Sequence, residues 1–252
     1  NVLTASNSRG KLESITIDAI EQIALTLSRM AEDLIIFSLP ELGYFSLPVE
    51  LCTGSSIMPQ KRNPDGLELV RAKSAIINGL SVSVKSVLRN LPSSYSRDLQ
   101  ETKKPYLSAF DIILGQLSVV ELTISKLEIN KENLKNSITP ELFATDYTFK
   151  QVENGIPFRE AYRVVAEKLD KTKDSSIFVD DLDDKDIFHR RSSIGSIGNL
   201  ELAECTRIVE EEKALVNIDT NKIKQSFYSL VGRDVKVFDN LWGRSNHTNE
   251  KL

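Results

Sequence analysis

The sequence predicts an all-α protein, with long central helices of a multi-helix bundle followed by a smaller C-terminal helical domain. Three segments, at about 11–38, 67–90 and 102–128, carry apolar residues at alternating steps of three and four. A 3.5-residue apolar repeat sustained over three or four heptads places one continuous seam along each helix. No alternation convincingly predicts a sheet, although residues 234–238 could form a short strand.

Each long segment has its own predicted seam, which should pack against the seams of the other helices. The seam residues are Ile20, Ile23, Leu27, Met30, Leu34 and Phe37 in the first; Val70, Ile77, Val84 and Leu91, with Leu80 and Val87 between them, in the second; and Phe110, Ile113, Leu117, Val120, Ile124 and Leu127 in the third.

The helical segments shorten after Asn130, so we predict a domain boundary there. Residues 1–130 would form the central bundle region and residues 131–252 the C-terminal helical domain. Thr139 as an N-cap and Pro140 at the first helical position predict a helix to about residue 153. Further helices are predicted over about 157–171, 200–215 and 221–230, with an irregular stretch over 174–199.

The composition is that of an ordinary globular protein, with 40% hydrophobic and 27% charged residues. The net charge of −4 and the lack of a basic stripe argue against a nucleic-acid partner. No uninterrupted apolar run reaches the ~18 residues that cross a bilayer, so no membrane partner is expected. Cys52 and Cys205 share no metal or redox spacing, which predicts free buried thiols in a reducing cytoplasm.

One run of twelve residues, Gly54–Asp65, carries the most chemistry. It cannot be regular core structure, because Pro59 and Pro64 each remove a backbone donor and fix φ. It lies in a linker of about 27 residues between the first two long helices, and linkers of that length in compact domains are usually functional or disordered. A serine hydroxyl could act there as nucleophile or base, while Lys61 and Asn63 bind a carboxylate.

This run resembles the signature loop of the fumarase/aspartase superfamily, G-S-S-x-M-P-x-K-x-N-P, and we call Gly54–Asp65 the signature loop. Gln60 and Arg62, followed by Asn-Pro-Asp, favour the argininosuccinate lyase branch, since fumarase and aspartase usually have Gly and Val around the lysine. A second run, Leu91–Lys103, matches that branch's pattern L-P-x-x-Y-x-x-D-L-Q-x-x-K throughout. Similarity to the branch extends over about residues 1–215.

The resemblance implies reversible β-elimination of argininosuccinate to arginine and fumarate, a reaction of arginine biosynthesis, with no metal or organic cofactor. Removal of the Cβ proton builds charge on the adjacent carboxylate, so donors and cations must face that carboxylate. The family's base maps to Ser55, with Ser56 as the fallback, while Lys61 stabilises the charge and Glu68 orients a histidine. The implied substrate-binding residues are Ser56, Asn63, Tyr95, Gln100 and Lys103.

The histidine that Glu68 would orient is missing, because His189 and His247 occupy no family motif position. The family's histidine and threonine motifs would lie upstream of Asn1. We therefore expect this chain to be the C-terminal half of a longer subunit and inactive alone. The resemblance also implies a homotetramer whose active sites draw residues from different subunits, and the seams exceed what three helices of one chain could cover.

Two alternatives stay open. The enzyme could be another fumarate-releasing member of the superfamily, acting on adenylosuccinate or a simpler adduct. The chain could also be a non-catalytic scaffold that kept the fold, although a scaffold needs neither Ser55 nor Lys61. Thr4, Asn7 and Gly10 stand where the family often has acidic residues, so the resemblance assigns them no role.

Overall fold

The computed structural model describes residues 1–54, 56–58, 61–171 and 191–232. The predicted all-α fold is confirmed, since the only strands among these residues, β1 (Phe45–Ser46) and β2 (Glu128–Ile129), have two residues each. The helices are α1 (Val2–Asn7), α2 (Lys11–Phe37), α3 (Asp65–Leu88), α4 (Lys103–Ser125), α5 (Lys131–Asn136), α6 (Ala144–Glu153), α7 (Phe158–Lys171) and α8 (Leu202–Val231). Short 3-10 turns lie at Val49–Leu51, Arg97–Gln100 and Pro140–Phe143.

The chain divides into two compact units, Asn1–Thr139 and Pro140–Leu252. Residues just after 130 belong to the first unit because Asn133 ties α5 to it. The Asn133 Nδ2 atom donates to the carbonyl of Leu42 at 3.2 Å and to that of Gly43 at 3.1 Å. The domain division at residue 130 stays a prediction, since compactness alone does not show which segment folds independently.

The first unit is a three-helix bundle in which α3 runs antiparallel to α2. Asn78 donates to Glu21 at 2.6 Å, and Arg71 forms an ion pair with Glu32 further along the same interface. Along this interface the residue numbers decrease on α3 as they increase on α2, so the two helices are antiparallel.

Helix α4 reverses direction again and packs against α3. Gln116 Nε2 donates to the carbonyl of Val70 at 2.7 Å, and a Cβ on Gly66 would lie 3.2 Å from Val119. At each end of the bundle, one terminus of each of the three helices therefore lies close to the other two. One end, the loop end, has the signature loop at the start of α3; the other, the tyrosine end, has the segment from Leu88 to Lys103.

Each bundle helix buries one heptad stripe, as predicted, but the buried face is rotated from the predicted one. Ile23, Leu117 and Ile124 were predicted to be buried and are 46%, 41% and 50% exposed. The core positions beside them hold small or polar residues, which give no apolar signal in the sequence. The buried residues are Ile17, Ile20, Ala24, Leu27, Ala31 and Leu34 of α2; Leu67, Val70, Ser74, Ile77, Ser81 and Val84 of α3; and Pro105, Ala109, Ile113, Gln116, Val120 and Thr123 of α4.

The bundle helices consequently carry a second set of large apolar side chains, which we call the outer stripe. It comprises Ile23 of α2, Leu69 and Ile76 of α3, and Leu107, Leu114, Leu117 and Ile124 of α4. Among the described residues, one helical segment, Arg97–Ser125, is long and apolar enough to cross a membrane by length and composition. A helix that is apolar on more than one face is typical of one that is buried on several sides.

The second unit contains α6 and α7, packed through Tyr147 and Val165, and the separate helix α8. The Lys168 ammonium donates to the Tyr147 hydroxyl at 3.1 Å. The prediction of two helices over 200–215 and 221–230 is wrong, because α8 is continuous through 216–220, a stretch with neither glycine nor proline. The possible strand at 234–238 lies outside the described residues, as does most of 174–199.

The two cysteines are free, as expected, but their burial differs. Cys52 is half-buried, whereas Cys205 is exposed on α8. The prediction that both thiols are buried is therefore wrong for Cys205, because α8 has no buried residue along its described length.

A partly exposed polar network between α2 and α3 makes stability depend on pH. Asp18 accepts from Lys85 at 2.6 Å and from the Ser81 hydroxyl at 2.7 Å. The bond from Lys85 holds the pKa of Asp18 below its ordinary value, against the opposing effect of burial. A lowered folded-state pKa stabilises the protein above the unfolded pKa of about 3.9, and this contribution disappears as pH falls through the folded value.

We therefore expect Asp18→Asn to lower the free energy of unfolding by about 0.2–1 kcal/mol at neutral pH, since both side chains of the pair are almost half exposed. The difference from the parent should vanish in acid, where Asp18 is protonated. Urea unfolding at several pH values measures it, with Asp33→Asn on the exposed face of α2 as control. A deficit that persists unchanged at the lowest pH would contradict the assignment.

Candidate functional site

The signature loop is closed at its base by a two-residue bridge. Thr53 N–H donates to the Asn63 carbonyl at 3.1 Å, and Asn63 N–H donates back to the Thr53 carbonyl at 2.9 Å. The Thr53 hydroxyl also donates to the carboxylate of Asp65, the first residue of α3. This neck, Thr53 with Asn63, holds both ends of the loop at the start of α3. Between them, the described residues 54, 56–58, 61 and 62 are exposed.

The predicted residues of the loop end are placed on or near this neck. Ser55 lies outside the described residues. Ser56 and Lys61 are exposed, and the Lys61 N–H donates to the Met58 carbonyl at 3.1 Å. Asn63 is half-buried in the neck.

Glu68 is exposed on the first turn of α3, one turn beyond the neck. It lines a cavity of about 380 Å³ at the base of the loop, together with Cys52 and Arg62. Burial raises the pKa of the Cys52 thiol, with Arg62 acting in the opposite direction and Asp65 adding to the rise. The thiol therefore stays protonated and is a poor nucleophile, so the available chemistry of the cavity is that of the Arg62 and Glu68 charges.

The second predicted cluster lies at the tyrosine end. Tyr95 is 55% exposed, and its hydroxyl accepts a long hydrogen bond of 3.4 Å from Gln100 Nε2. Gln100 ends a 3-10 turn and Lys103 begins α4, one residue from the predicted start of that helix at about residue 102. The Ser96 hydroxyl donates to Asp98, which lowers the pKa of that carboxyl and stabilises the turn.

Sequence reasoning missed two residues at this end. The guanidinium carbon of Arg9 lies 4.9 Å from the centroid of the Tyr95 ring. The Oδ1 atom of Asn7 accepts from the backbone N–H of Ser94 at 3.2 Å. The available signal was the opening segment Asn-x-x-x-A-x-x-x-R, which ends at Arg9, but Asn7 replaced the expected acid and was assigned no role.

The structure does not bring the two clusters together within one chain. Helix α3 has 24 residues, so at 1.5 Å per residue its ends lie about 36 Å apart. The signature loop adjoins the first residue of α3, whereas Tyr95 follows its last. The described side chains of both clusters, apart from the half-buried Asn63, are exposed, so neither cluster encloses a substrate by itself.

Within residues 1–54, 56–58, 61–171 and 191–232, no group of three or more His, Cys, Asp or Glu side chains is placed to hold a metal ion. The donors that the two clusters offer are a lysine ammonium at each end, two amides and a phenol. Such groups hold carboxylates through charge-assisted hydrogen bonds.

Comparison with known proteins finds relatives of this sequence. A family model described as a lyase matches residues 1–79. The argininosuccinate lyase of Thermotoga neapolitana is 45% identical over 174 residues, which cover 69% of this chain and 44% of that enzyme. The argininosuccinate lyase of Schizosaccharomyces pombe is 38% identical over 165 residues, covering 66% of this chain and 36% of the relative. The chain thus spans less than half the length of these curated relatives.

Solved structures share the fold. An EDDS lyase in complex with formate superposes with a TM-score of 0.74 at 20% identity, covering 87% of this chain and 50% of that one. The class II fumarase of Schistosoma mansoni superposes with a TM-score of 0.57 at 19% identity, covering 72% of this chain and 38% of the fumarase. At these identities the likeness concerns the fold alone.

The neck can be tested without any assay of activity. We expect Thr53→Val to speed hydrogen exchange at the Asn63 amide by about 2- to 10-fold, because one side-chain hydrogen bond is worth about 0.5–1.5 kcal/mol. Thr53→Ser keeps the hydroxyl and should exchange like the parent. Hydrogen–deuterium exchange followed by NMR gives the rates. Equal rates in all three proteins would show that the hydroxyl does not hold the neck.

Proposed function

Because the chain belongs to the argininosuccinate lyase family of the fumarase/aspartase superfamily, we propose that it supplies part of the active site of an enzyme that cleaves argininosuccinate reversibly to arginine and fumarate. The observation that carries the proposal is the signature loop, held by its neck at the start of α3, with Lys61 exposed to solvent. It occurs in a chain that is 45% identical to an argininosuccinate lyase over 174 residues.

The proposed chemistry begins at a weakly acidic carbon. A base removes the proton from the carbon beside one succinyl carboxylate, and the electron pair passes onto that carboxylate. The pair then forms the double bond of fumarate as the bond to the guanidino nitrogen breaks, and that nitrogen takes up a proton to give arginine. Catalysis needs positive charge and donors that bind the intermediate carboxylate more strongly than the starting one.

We assign the base to Ser55, with Ser56 as the fallback, on the strength of the sequence match. Lys61 and Asn63 face the developing charge, and the half-buried Asn63 amide is held in place by its backbone bonds to Thr53. A serine hydroxyl becomes a base only where cations and donors stabilise the alkoxide and water is excluded. Loop closure over the substrate would provide that exclusion.

The remaining roles fall on side chains at separate ends of the bundle. Glu68 would orient a histidine from another part of the enzyme, because a carboxylate accepting from one ring nitrogen fixes the tautomer of the other. At the tyrosine end, Tyr95, Gln100 and Lys103 would hold the substrate. A phenol and an amide can hydrogen-bond a guanidino or amino-acid group, and Lys103 can pair with a carboxylate.

A second copy of the chain would unite the two ends. Two bundles packed antiparallel about a two-fold axis place the loop end of one beside the tyrosine end of the other, since a two-fold interface repeats each contact in reverse. The outer stripe supplies the apolar surface that such packing buries. We therefore propose a homo-oligomer, a homotetramer as in the family, with sites built from more than one subunit.

This assembly also accounts for the apolar character of α4 without a membrane, and we propose a cytoplasmic enzyme. One face of α4 lies in the bundle core and the other belongs to the outer stripe. Two free thiols agree with a reducing compartment.

The activity can be measured by grafting. Replacing the 174 aligned residues of the Thermotoga neapolitana relative by those of this chain provides the parts that the chain does not span. We expect the graft to release fumarate from argininosuccinate. Ser55→Ala should lower kcat by at least about 100-fold, the usual size of a general-base contribution, while helical content by circular dichroism stays unchanged.

The control is Ser118→Ala, an exposed serine of α4 whose hydroxyl bonds only to its own helix, which should keep the parent rate. Fumarate release from adenylosuccinate, malate or aspartate in place of argininosuccinate would reject the substrate assignment. A Ser55→Ala graft that turns over near the parent rate would move the base to Ser56.

Assembly gives an independent prediction. We expect Ile76→Glu to shift the chain toward smaller species in analytical ultracentrifugation, because Ile76 is 52% exposed on the outer stripe and a buried charge is costly. Asn136→Glu adds the same charge on α5, outside the bundle helices, and should leave the oligomer intact. A parent chain that stays monomeric at all concentrations would contradict burial of the outer stripe by other copies.

A further inference from the structure

At the tyrosine end, the turn that joins α1 to α2 packs against the loop that leads to Tyr95. We propose that this turn, residues 7–10, is a positioning clamp that fixes the Tyr95 ring for substrate, with Arg9 as the principal positioning residue. The inference rests on the proposed function, since it is there that Tyr95 is assigned a substrate contact.

The first contact of the clamp holds the backbone of the loop. Ser94 has φ of 82°, in the left-handed region that non-glycine residues seldom adopt. Its N–H donates to Asn7 Oδ1 at 3.2 Å, and this hydrogen bond offsets part of the cost of that conformation. Because Ser94 immediately precedes Tyr95, fixing its backbone limits where the ring can lie.

The second contact holds the ring itself. The Arg9 guanidinium carbon lies 4.9 Å from the ring centroid, inside the roughly 6 Å over which a cation attracts an aromatic face. The Tyr95 hydroxyl accepts from Gln100 at 3.4 Å. The ring is therefore held at its face by one residue and at its hydroxyl by another, although 55% of Tyr95 is exposed.

The turn is itself fixed to the bundle by Gly10. This residue is buried with φ of 78°, and a Cβ there would overlap Cδ2 of Leu88 and lie 3.3 Å from Cδ2 of Leu99. The turn thus contacts both the last turn of α3 and the 3-10 turn that ends at Gln100. Arg9, one residue before Gly10, is placed by backbone packing rather than by its own flexible side chain.

Lys11 provides a matched control for Arg9. Both cations line the same cavity of about 320 Å³ beside the loop, but the cation assigned to the Tyr95 ring is Arg9. Arg9→Met and Lys11→Met each remove one positive charge and keep an unbranched apolar stem. A general loss of positive potential would affect the two variants alike, whereas the clamp predicts an effect of Arg9→Met alone.

The clamp can be measured in the chain itself, independently of activity. In protein labelled with 13C-tyrosine, the Tyr95 ring signal is identified by its loss in Tyr95→Phe. We expect Arg9→Met to shift that signal and broaden it through added ring motion, while Lys11→Met leaves it in place. A Tyr95 signal that does not respond to Arg9→Met would overturn the inference.

Kinetics in the grafted enzyme provide the second measurement. Arg9→Met should raise KM for argininosuccinate about 2- to 30-fold with kcat changed less than about 2-fold, the range that a cation–π contact provides. Arg9→Lys should recover part of the loss. In a Tyr95→Ala background, Arg9→Met should cost nothing further, because the ring it positions is gone.

The two proposals fail in distinguishable ways. If the unmodified graft releases no fumarate from argininosuccinate, the proposed function fails while the tyrosine signal still tests the clamp. If the graft is active and Arg9→Met changes KM equally with and without Tyr95, Arg9 acts independently of the ring and the clamp is overturned.

Discussion

The unbroken length of α3 is the constraint on which the candidate site depends. Its 24 helical residues hold the signature loop at one end and the Tyr95 loop at the other, and an α-helix cannot shorten to bring them together. Helices α2 and α4 lie antiparallel to α3 and are of similar length, so they also run from the loop end to the tyrosine end. Any site that uses both loops must therefore be completed by surfaces outside a single bundle, and the exposure of Lys61, Tyr95 and Lys103 agrees with that requirement.

Polar residues within the seams explain both the close packing of the bundle and the difficulty of predicting its buried face. Ser74 and Ser81 are buried in α3, and α2 buries Ala24 and Ala31; small side chains at a contact let two helices approach closely. Gln116 is buried in α4, where its Nε2 donates to Val70 while its Oε1 has no hydrogen-bond partner among the described residues. Such residues are costly in a core unless satisfied, so pattern analysis assigns the seam to the neighbouring leucines and isoleucines.

The sequence was sufficient for the all-α fold and for the positions of the long helices to within a few residues. Heptad repeats and the prolines around 59–64 are local signals, and the fold follows from them. What the sequence could not supply depends on contacts between distant segments. The pairing of β1 with β2 is an example, because two residues on each strand are too few to show alternation. The continuity of α8, in contrast, had a local signal, since residues 216–220 contain neither glycine nor proline.

For the site, the same distinction applies. Both loops could be located by resemblance, because their residue types are close together in the chain. The neck between Thr53 and Asn63 spans ten positions, and the contact between Arg9 and Tyr95 spans eighty-six. A single sequence does not reveal such pairs, since neither partner is unusual alone. Asn7 is an example, because its side chain accepts a hydrogen bond from Ser94, which is distant in the sequence, and its neighbours in the chain give no sign of this contact.

Both loops are organised in the same physical way, with a fixed base and exposed candidate side chains. At the loop end, backbone bonds and the Thr53 hydroxyl hold the base while Lys61 remains in solvent. At the tyrosine end, Asn7 holds the base while the phenol of Tyr95 remains accessible. Restricting the base lowers the entropy lost when substrate binds, because fewer backbone states must be frozen. The proposed serine base works only where water is excluded, so the proposed mechanism requires substrate, loop closure and a neighbouring subunit to displace water together.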